Sequence, residues 1–301
     1  MSVRTGSIRE VAGQAGYDMH SCRTIGFALL AQCLILVLVP GAVAAATQKP
    51  ALPDVRSQAY YVVDGADSSV LASRHENTPA PIASITKLMT ALVILEAGQP
   101  MDEQVTITAA DVLGTAGSGS RLAQGARLTR ADLLRLALMS SENRAAYALC
   151  RTYPKGLTAC VHAMNVKAAQ LGMKAAHFVE PTGLSKLNVA SPCDLAKLVL
   201  AAGSEPTIRE YSTDAAHTVN VGRYALQFRN TNSLVEKPDW QVDVQKTGYI
   251  SEAGRCLVMQ TVIDGRQVVI VLLNSWGKLT RIADAKRIRT WLETQHKVKD
   301  A

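Results

Sequence analysis

The sequence predicts an α+β fold: an antiparallel sheet flanked by helices, with a helical lobe inserted between its first and last strands. Three observations point there. Runs rich in β-branched and aromatic residues stand at both ends of the chain, at residues 60–63 and 70–72 and again at 242–250, 255–263 and 268–273. Between them, apolar residues recur at helical spacing. With 48% apolar and 19% charged side chains over 301 residues, and no repeat or low-complexity linker, the chain can bury one large core.

The elements follow in order. Residues 24–48 carry no charge, Arg23 precedes them, and an apolar run over 25–39 ends at Pro40-Gly41. With Ala42-Val43-Ala44-Ala45-Ala46 behind it, this describes a secretory signal peptide over 1–46, cleaved after Ala44 or Ala46. The run is shorter than the roughly 20 residues of a membrane span. The alternative is an uncleaved N-terminal anchor, and Met19 is a second candidate start. One domain then covers 47–301, outside the cytoplasm. Residues 60–63 form a strand, 65–68 turn, and 70–72 return; Pro79 and Pro81 mark a loop. Ile85, Leu88, Met89, Leu92 and Val93 make 85–96 a helix, closed by Gly98. Thr129 and Asp132 resemble a capping box and open a helix through Met139. Helices over 144–152 and 157–171 follow. Ser191-Pro192-Cys193-Asp194 starts another that runs to Ala202, where Gly203 stops it. Asp264-Gly265 joins the last two strands as a hairpin, and an amphipathic helix over 279–292 closes the chain.

Composition also excludes. Aromatics are 5%, too few for a stacking platform, and the net charge of +7 is scattered, so no nucleic-acid partner is expected. No CxxC pair or His/Cys cluster has metal spacing. Beyond the signal, Cys150, Cys160, Cys193 and Cys256 allow three pairings. Cys150 and Cys160 flank a Tyr153-Pro154-Lys155-Gly156 turn and could bridge locally, or serve as small buried hydrophobes.

Three short motifs carry chemistry. Ser84-Ile85-Thr86-Lys87 stands at a helix start, where residues three apart share a face. A serine becomes a nucleophile when a base takes its proton, and a lysine is that base only if its surroundings lower its pKa. The helix N-terminus adds positive potential and free N–H groups for an oxyanion. The pattern alone is weak: Ser275-Trp276-Gly277-Lys278 repeats it in a turn and reads as chance. Ser141-Glu142-Asn143 follows the helix ending at Met139. Its hydroxyl can relay a proton and its amide can hold a carbonyl; the simpler reading is a helix cap. Lys246-Thr247-Gly248 lies within a strand. Its glycine suggests close approach by a ligand, and a cation beside a hydroxyl suits a carboxylate. The simpler reading is an exposed pair on an edge strand.

The order S-x-x-K, S-x-N, K-T-G, each in its proper context, is a strong conjunction. On these motifs, and on residues 81–91, 138–146, 178–185 and 245–254 around them, the sequence resembles the low-molecular-mass penicillin-binding proteins. These are serine-type D-alanyl-D-alanine peptidases, and the likeness runs from about residue 59 to 292, nearest to the endopeptidases among them. The resemblance implies a β-lactamase/transpeptidase-like fold. It makes Ser84 the acylated nucleophile, Lys87 the general base and Ser141 the proton shuttle to the leaving amine. Asn143 would hold the acyl-side amide, and Lys246, Thr247 and Gly248 the carboxylate beyond the scissile bond. The backbone N–H groups of Ser84 and Tyr249 would form the oxyanion hole. It implies peptidoglycan peptides as substrates, β-lactams as covalent inhibitors, a periplasmic location and no metal or organic cofactor. The extra C-terminal domain and anchoring helix of some relatives are not expected.

Other readings stand beside it. A D-alanyl-D-alanine carboxypeptidase differs only in the bond cut. A β-lactamase needs a deacylating base, for which Glu180 is the candidate, although no partner Asn follows three or four residues on; a surface-loop acid is the simpler reading. A β-lactam or wall-fragment sensor would need a signalling segment. His75, His162, His177 and His217 stand apart with no triad partner, and Arg255 reads as half of a cross-strand ion pair or as a carboxylate ligand.

Overall fold

The structure, a computed structural model, describes residues 52–299. The expected signal peptide lies outside the described residues. No helix among those described is long and apolar enough to cross a membrane.

Two strands open the fold, β1 (Ala59–Asp64) and β2 (Val70–Arg74). A short strand β3 (Ala80–Pro81) and one 3₁₀ turn (Ala83–Ile85) lead into α1 (Thr86–Glu96). The helical lobe adds β4 (Gln104–Thr106), α2 (Ala109–Gly114), β5 (Arg127–Thr129), α3 (Arg130–Met139), α4 (Asn143–Arg151) and α5 (Gly156–Gln170). Then come β6 (Val189–Ala190), α6 (Pro192–Gly203), α7 (Pro206–Thr213) and the hairpin of β7 (Ala216–Val221) and β8 (Tyr224–Arg229). The chain returns through β9 (Gln241–Ile250), β10 (Gly254–Ile263) and β11 (Arg266–Ser275), and ends in α8 (Thr280–Lys299).

The long strands form one antiparallel sheet in the order β2-β1-β11-β10-β9. β1 lies against β11, with Tyr61 opposite Val271, so the two ends of the chain share the sheet as the sequence predicts. Side chains alternate across it. Tyr60, Val62, Leu257, Met259, Ile270 and Leu272 pack on Ala285 and Ile288 of α8. Val63, Val258, Val269, Val271 and Leu273 join the core of the helical lobe. Because both faces are covered, β11 reads as an unbroken apolar run rather than an alternating one. Its hairpin turn holds Asp264 and Gly265 at φ of 53° and 73°, as a type I′ turn requires.

α1 is buried from Thr86 to Ile94 and touches α3, α4, α5 and α6. An apolar helix enclosed on all sides has a fixed N-terminus, and that end carries Ser84. Thr129 caps α3 by accepting the Asp132 N–H at 3.0 Å, and Ser191 caps α6 by accepting that of Asp194 at 3.1 Å. A disulfide joins Cys150 and Cys160 between α4 and α5, while Cys193 and Cys256 are free thiols among the described residues.

Three local expectations change. The Pro79–Pro81 stretch is not all loop, because Ala80 and Pro81 pair with Ala190 and Val189, partners far away in sequence. Gly203 is the last residue of α6 rather than the residue beyond it; a Cβ there would meet the flexible end of the Gln260 side chain, with Oε1 2.1 Å away. Residues 204–241 carry no sequence assignment, yet hold α7 and the β7–β8 hairpin. Each of these two strands buries a single residue, Val219 or Phe228, so no alternation is visible.

Candidate active site

Ser84 sits in the 3₁₀ turn that feeds α1. Ala83 before it adopts a φ of 47°. Two glycines press on this segment. A Cβ at Gly183 would lie 1.9 Å from the Ala83 carbonyl oxygen, and one at Gly248 would lie 3.1 Å from the Ser84 nitrogen and 3.0 Å from the Ile82 carbonyl oxygen. The K-T-G glycine was expected to admit a ligand; the backbone carrying Ser84 is what approaches it.

Lys87, one turn along, is 1% exposed. Its Nζ donates to Ser84 Oγ at 2.9 Å, to Asn143 Oδ1 at 2.7 Å and to the Thr182 carbonyl at 2.7 Å. Burial lowers its pKa from 10.5 to about 7, against the opposing pull of the Glu180 and Glu142 carboxylates. At neutral pH much of it is therefore the free amine, which keeps two N–H donors for Asn143 and Thr182 and turns its lone pair to Ser84, so that the 2.9 Å contact reverses and the Ser84 hydroxyl donates.

Ser141 has a φ of 62°, a conformation that costs energy for any residue but glycine and that tends to be stored at functional sites. The cap of α4 is neither Ser141 nor Asn143. Glu142 takes that task, accepting the Arg144 N–H at 3.3 Å and the Ser120 hydroxyl. Asn143 is thereby left to meet Lys87. Burial raises the pKa of the Glu142 carboxyl.

Lys246 and Thr247 do lie on the edge strand, β9, but are buried at 0% and 4% exposure. Lys246 Nζ donates to the Thr247 carbonyl at 2.9 Å, and Thr247 Oγ1 donates to Thr231 Oγ1 at 2.7 Å. Burial, then the charges of Lys87 and Arg281, hold the Lys246 pKa well below its ordinary value.

Three features escape motif reading. Arg281, at the start of α8, has buried Nε and Nη1 atoms with no hydrogen-bond partner among the described residues. Burial and the charge of Arg255 lower its pKa. It lies close enough to Lys246 to repel its charge, and the two make a wall suited to an anion. Thr231 is the second. The third is the segment after Glu180, which is no surface acid. One oxygen of Glu180 accepts the Thr182 N–H at 2.7 Å and its hydroxyl at 2.5 Å. The other accepts the Gly183 N–H at 2.6 Å and Asn188 Nδ2 at 3.0 Å. With both oxygens engaged, Glu180 is poorly placed to activate water.

Other candidates fall elsewhere. Arg255 forms no ion pair among the described residues; its guanidinium lies 4.6 Å from the ring centre of Tyr249, its cross-strand neighbour. His217 Nε2 lies 2.9 Å from Asp132 Oδ1. Ser275, in the second S-x-x-K, is buried with its Oγ 2.7 Å from that of Ser57, which donates to Asp284 at 2.6 Å. Among the described residues no three His, Cys, Asp or Glu side chains gather as metal ligands.

The family described as D-alanyl-D-alanine carboxypeptidase (peptidase S11) matches residues 44–277. The D-alanyl-D-alanine endopeptidase of Escherichia coli K12 is 44% identical over 269 residues, 88% of this chain and 87% of that one. That of Pseudomonas aeruginosa is 45% identical over 247 residues, 81% and 80% of the two chains. Among solved structures, the Streptomyces K15 DD-transpeptidase superposes with a TM-score of 0.75 at 27% identity, covering 80% of this chain and 98% of its own. A D-alanyl-D-alanine carboxypeptidase from Mycobacterium tuberculosis H37Rv gives 0.75 at 26% identity over 82% and 95%. The chain belongs to the D-alanyl-D-alanine carboxypeptidase (peptidase S11) family.

Proposed function

We propose that this chain is a penicillin-binding serine peptidase that hydrolyses D-alanyl bonds of peptidoglycan, cutting cross-links as an endopeptidase. The observation that carries the reading is the contact between Ser84 Oγ and a buried Lys87 whose pKa is about 7. Identities of 44% and 45% to two D-alanyl-D-alanine endopeptidases favour the endopeptidase over the carboxypeptidase. Residues 1–46 are read as the export signal and 47–301 as a domain that works in the periplasm.

Neutral Lys87 takes the Ser84 proton as Oγ bonds to the D-alanyl carbonyl carbon. Backbone N–H groups of Ser84 and Tyr249 hold the oxyanion. Asn143, with Oδ1 engaged by Lys87, offers Nδ2 to the acyl-side amide carbonyl. Ser141 gives its proton to the leaving nitrogen as the C–N bond breaks and takes in its place the proton held by Lys87, so that Lys87 is neutral again and an ester remains on Ser84. Water then adds to that ester and gives its proton to Lys87; the C–O bond breaks and Ser84 regains its proton. The wall built by Lys246, Thr247 and Arg281 receives the carboxylate on the leaving side, with Lys246 and Arg281 supplying the charge. A β-lactam opens by the same attack, with its nitrogen still tethered.

The test is incubation of the protein with purified cross-linked muropeptides, read by mass. Dimers should become monomers with uptake of one water, and Ser84→Ala should be inert. Release of terminal D-alanine alone would assign a carboxypeptidase, and acylation by penicillin with no muropeptide turnover would favour a sensor.

A further inference from the structure

Thr231 links two of the three motifs. Its N–H donates to the Met139 carbonyl at 3.0 Å, at the end of α3 just before the S-x-N turn. Its Oγ1 accepts the Thr247 hydroxyl of K-T-G at 2.7 Å. Its neighbours are pinned. Asn230 Nδ2 donates to the carbonyls of Ser212 and Asp214 at 2.9 and 2.8 Å, and Asn230 Oδ1 accepts from Asn232 N–H and Gln245 Nε2, both at 2.9 Å. Thr231 is exposed, whereas Thr247 behind it is buried.

The direction of these bonds matters, because a hydroxyl has one proton. That of Thr247 is committed to Thr231. Among the described residues the proton of Thr231 has only a long alternative, the Met139 carbonyl at 3.4 Å, which already accepts the Thr231 N–H. We propose that Thr231 is a substrate-binding residue, whose exposed hydroxyl, polarised by Thr247 behind it, donates to the carboxylate drawn in by Lys246 and Arg281. This rests on the reading that the K-T-G wall receives a carboxylate. The buried Thr247 then acts through Thr231, and the outer end of the wall lies outside the K-T-G motif. A hydroxyl donating to an ion, backed by a second donor, is among the stronger hydrogen bonds a neutral side chain makes.

The experiment measures acylation rate constants for benzylpenicillin and for its methyl ester, in which the carboxylate is masked. Thr231→Val should slow acylation by the free acid roughly ten- to hundredfold, the loss expected for a hydrogen bond to a charged group. It should slow the slower ester reaction far less, because the ester carbonyl accepts a hydrogen bond but carries no charge, and Thr231→Ser should restore the acid rate. Thr231→Ala gives the same comparison should the valine variant fold poorly. An equal loss with both probes, or no loss with the acid, would overturn the proposal. Wild-type protein that penicillin does not acylate on Ser84 would instead refute the underlying reading, before any Thr231 variant is compared.

Discussion

Lys87 Nζ donates to the Thr182 carbonyl at 2.7 Å, and Thr182 is held there by Glu180, which accepts both its N–H and its hydroxyl. A fourth segment thus completes what the three motifs begin. It gives Lys87 its third acceptor and, through Gly183, presses on the backbone before Ser84. It places a carboxylate near enough to raise the Lys87 pKa while burial lowers it.

The pH dependence follows from the sign of that balance. Only neutral Lys87 can accept the Ser84 proton. With its pKa at about 7, acylation should rise with pH through that value and level off above it. Stopped-flow acylation by a penicillin measures this. Lys87→Arg, cationic throughout, should be inactive across the range.

Glu180→Gln removes a charge that raises the Lys87 pKa, so the rising limb should move to lower pH. An amide also cannot accept on both arms as the carboxylate does. Lost bonds in the 180–188 segment should cost about 2 kcal/mol of stability. Thermal melts and the same pH profile check both; a limb moving to higher pH would contradict the electrostatic assignment.

Gly248→Ala places a methyl 3.0 Å from the Ile82 carbonyl oxygen and 3.1 Å from the Ser84 nitrogen. The backbone carrying the nucleophile must shift by a few tenths of an ångström. Acylation should fall by about tenfold or more, since catalysis is sensitive to such displacements, with a small change in melting temperature. An unchanged rate constant would show that the segment tolerates the displacement.

Ser275→Ala separates the two S-x-x-K copies. Ser275 belongs to a buried chain through Ser57 to Asp284, which also accepts the N–H groups of Arg56 and Ser57. Its loss should cost about 1 kcal/mol in denaturant melts and leave penicillin acylation at the wild-type rate.

The parts legible in the sequence are those with a local signal. α1, α3, α6 and the strand pair β10–β11 announce themselves by periodicity, caps and the Asp264-Gly265 turn, and Ser84, Lys87, Asn143 and Lys246 by motif spacing. The rest depends on contacts between distant residues. Arg281 reaches the site from the closing helix, and nothing beside it in sequence marks it. Thr231 sits in a stretch with no periodicity. Glu180 looked like a surface acid because its partners are mostly backbone N–H groups. Glu142 was hidden by its neighbours: Ser and Asn are good caps, yet the acid between them caps α4.

The most direct measurement is peptide mapping by mass spectrometry after brief exposure to a penicillin, on wild type, Lys87→Ala and Ser84→Ala. The expected result is one penicilloyl group on the peptide carrying Ser84 in the wild type and none in either variant. Labelling of Ser275, or labelling of Ser84 in Lys87→Ala at the wild-type rate, would contradict the assignment of Ser84 and Lys87 as nucleophile and base.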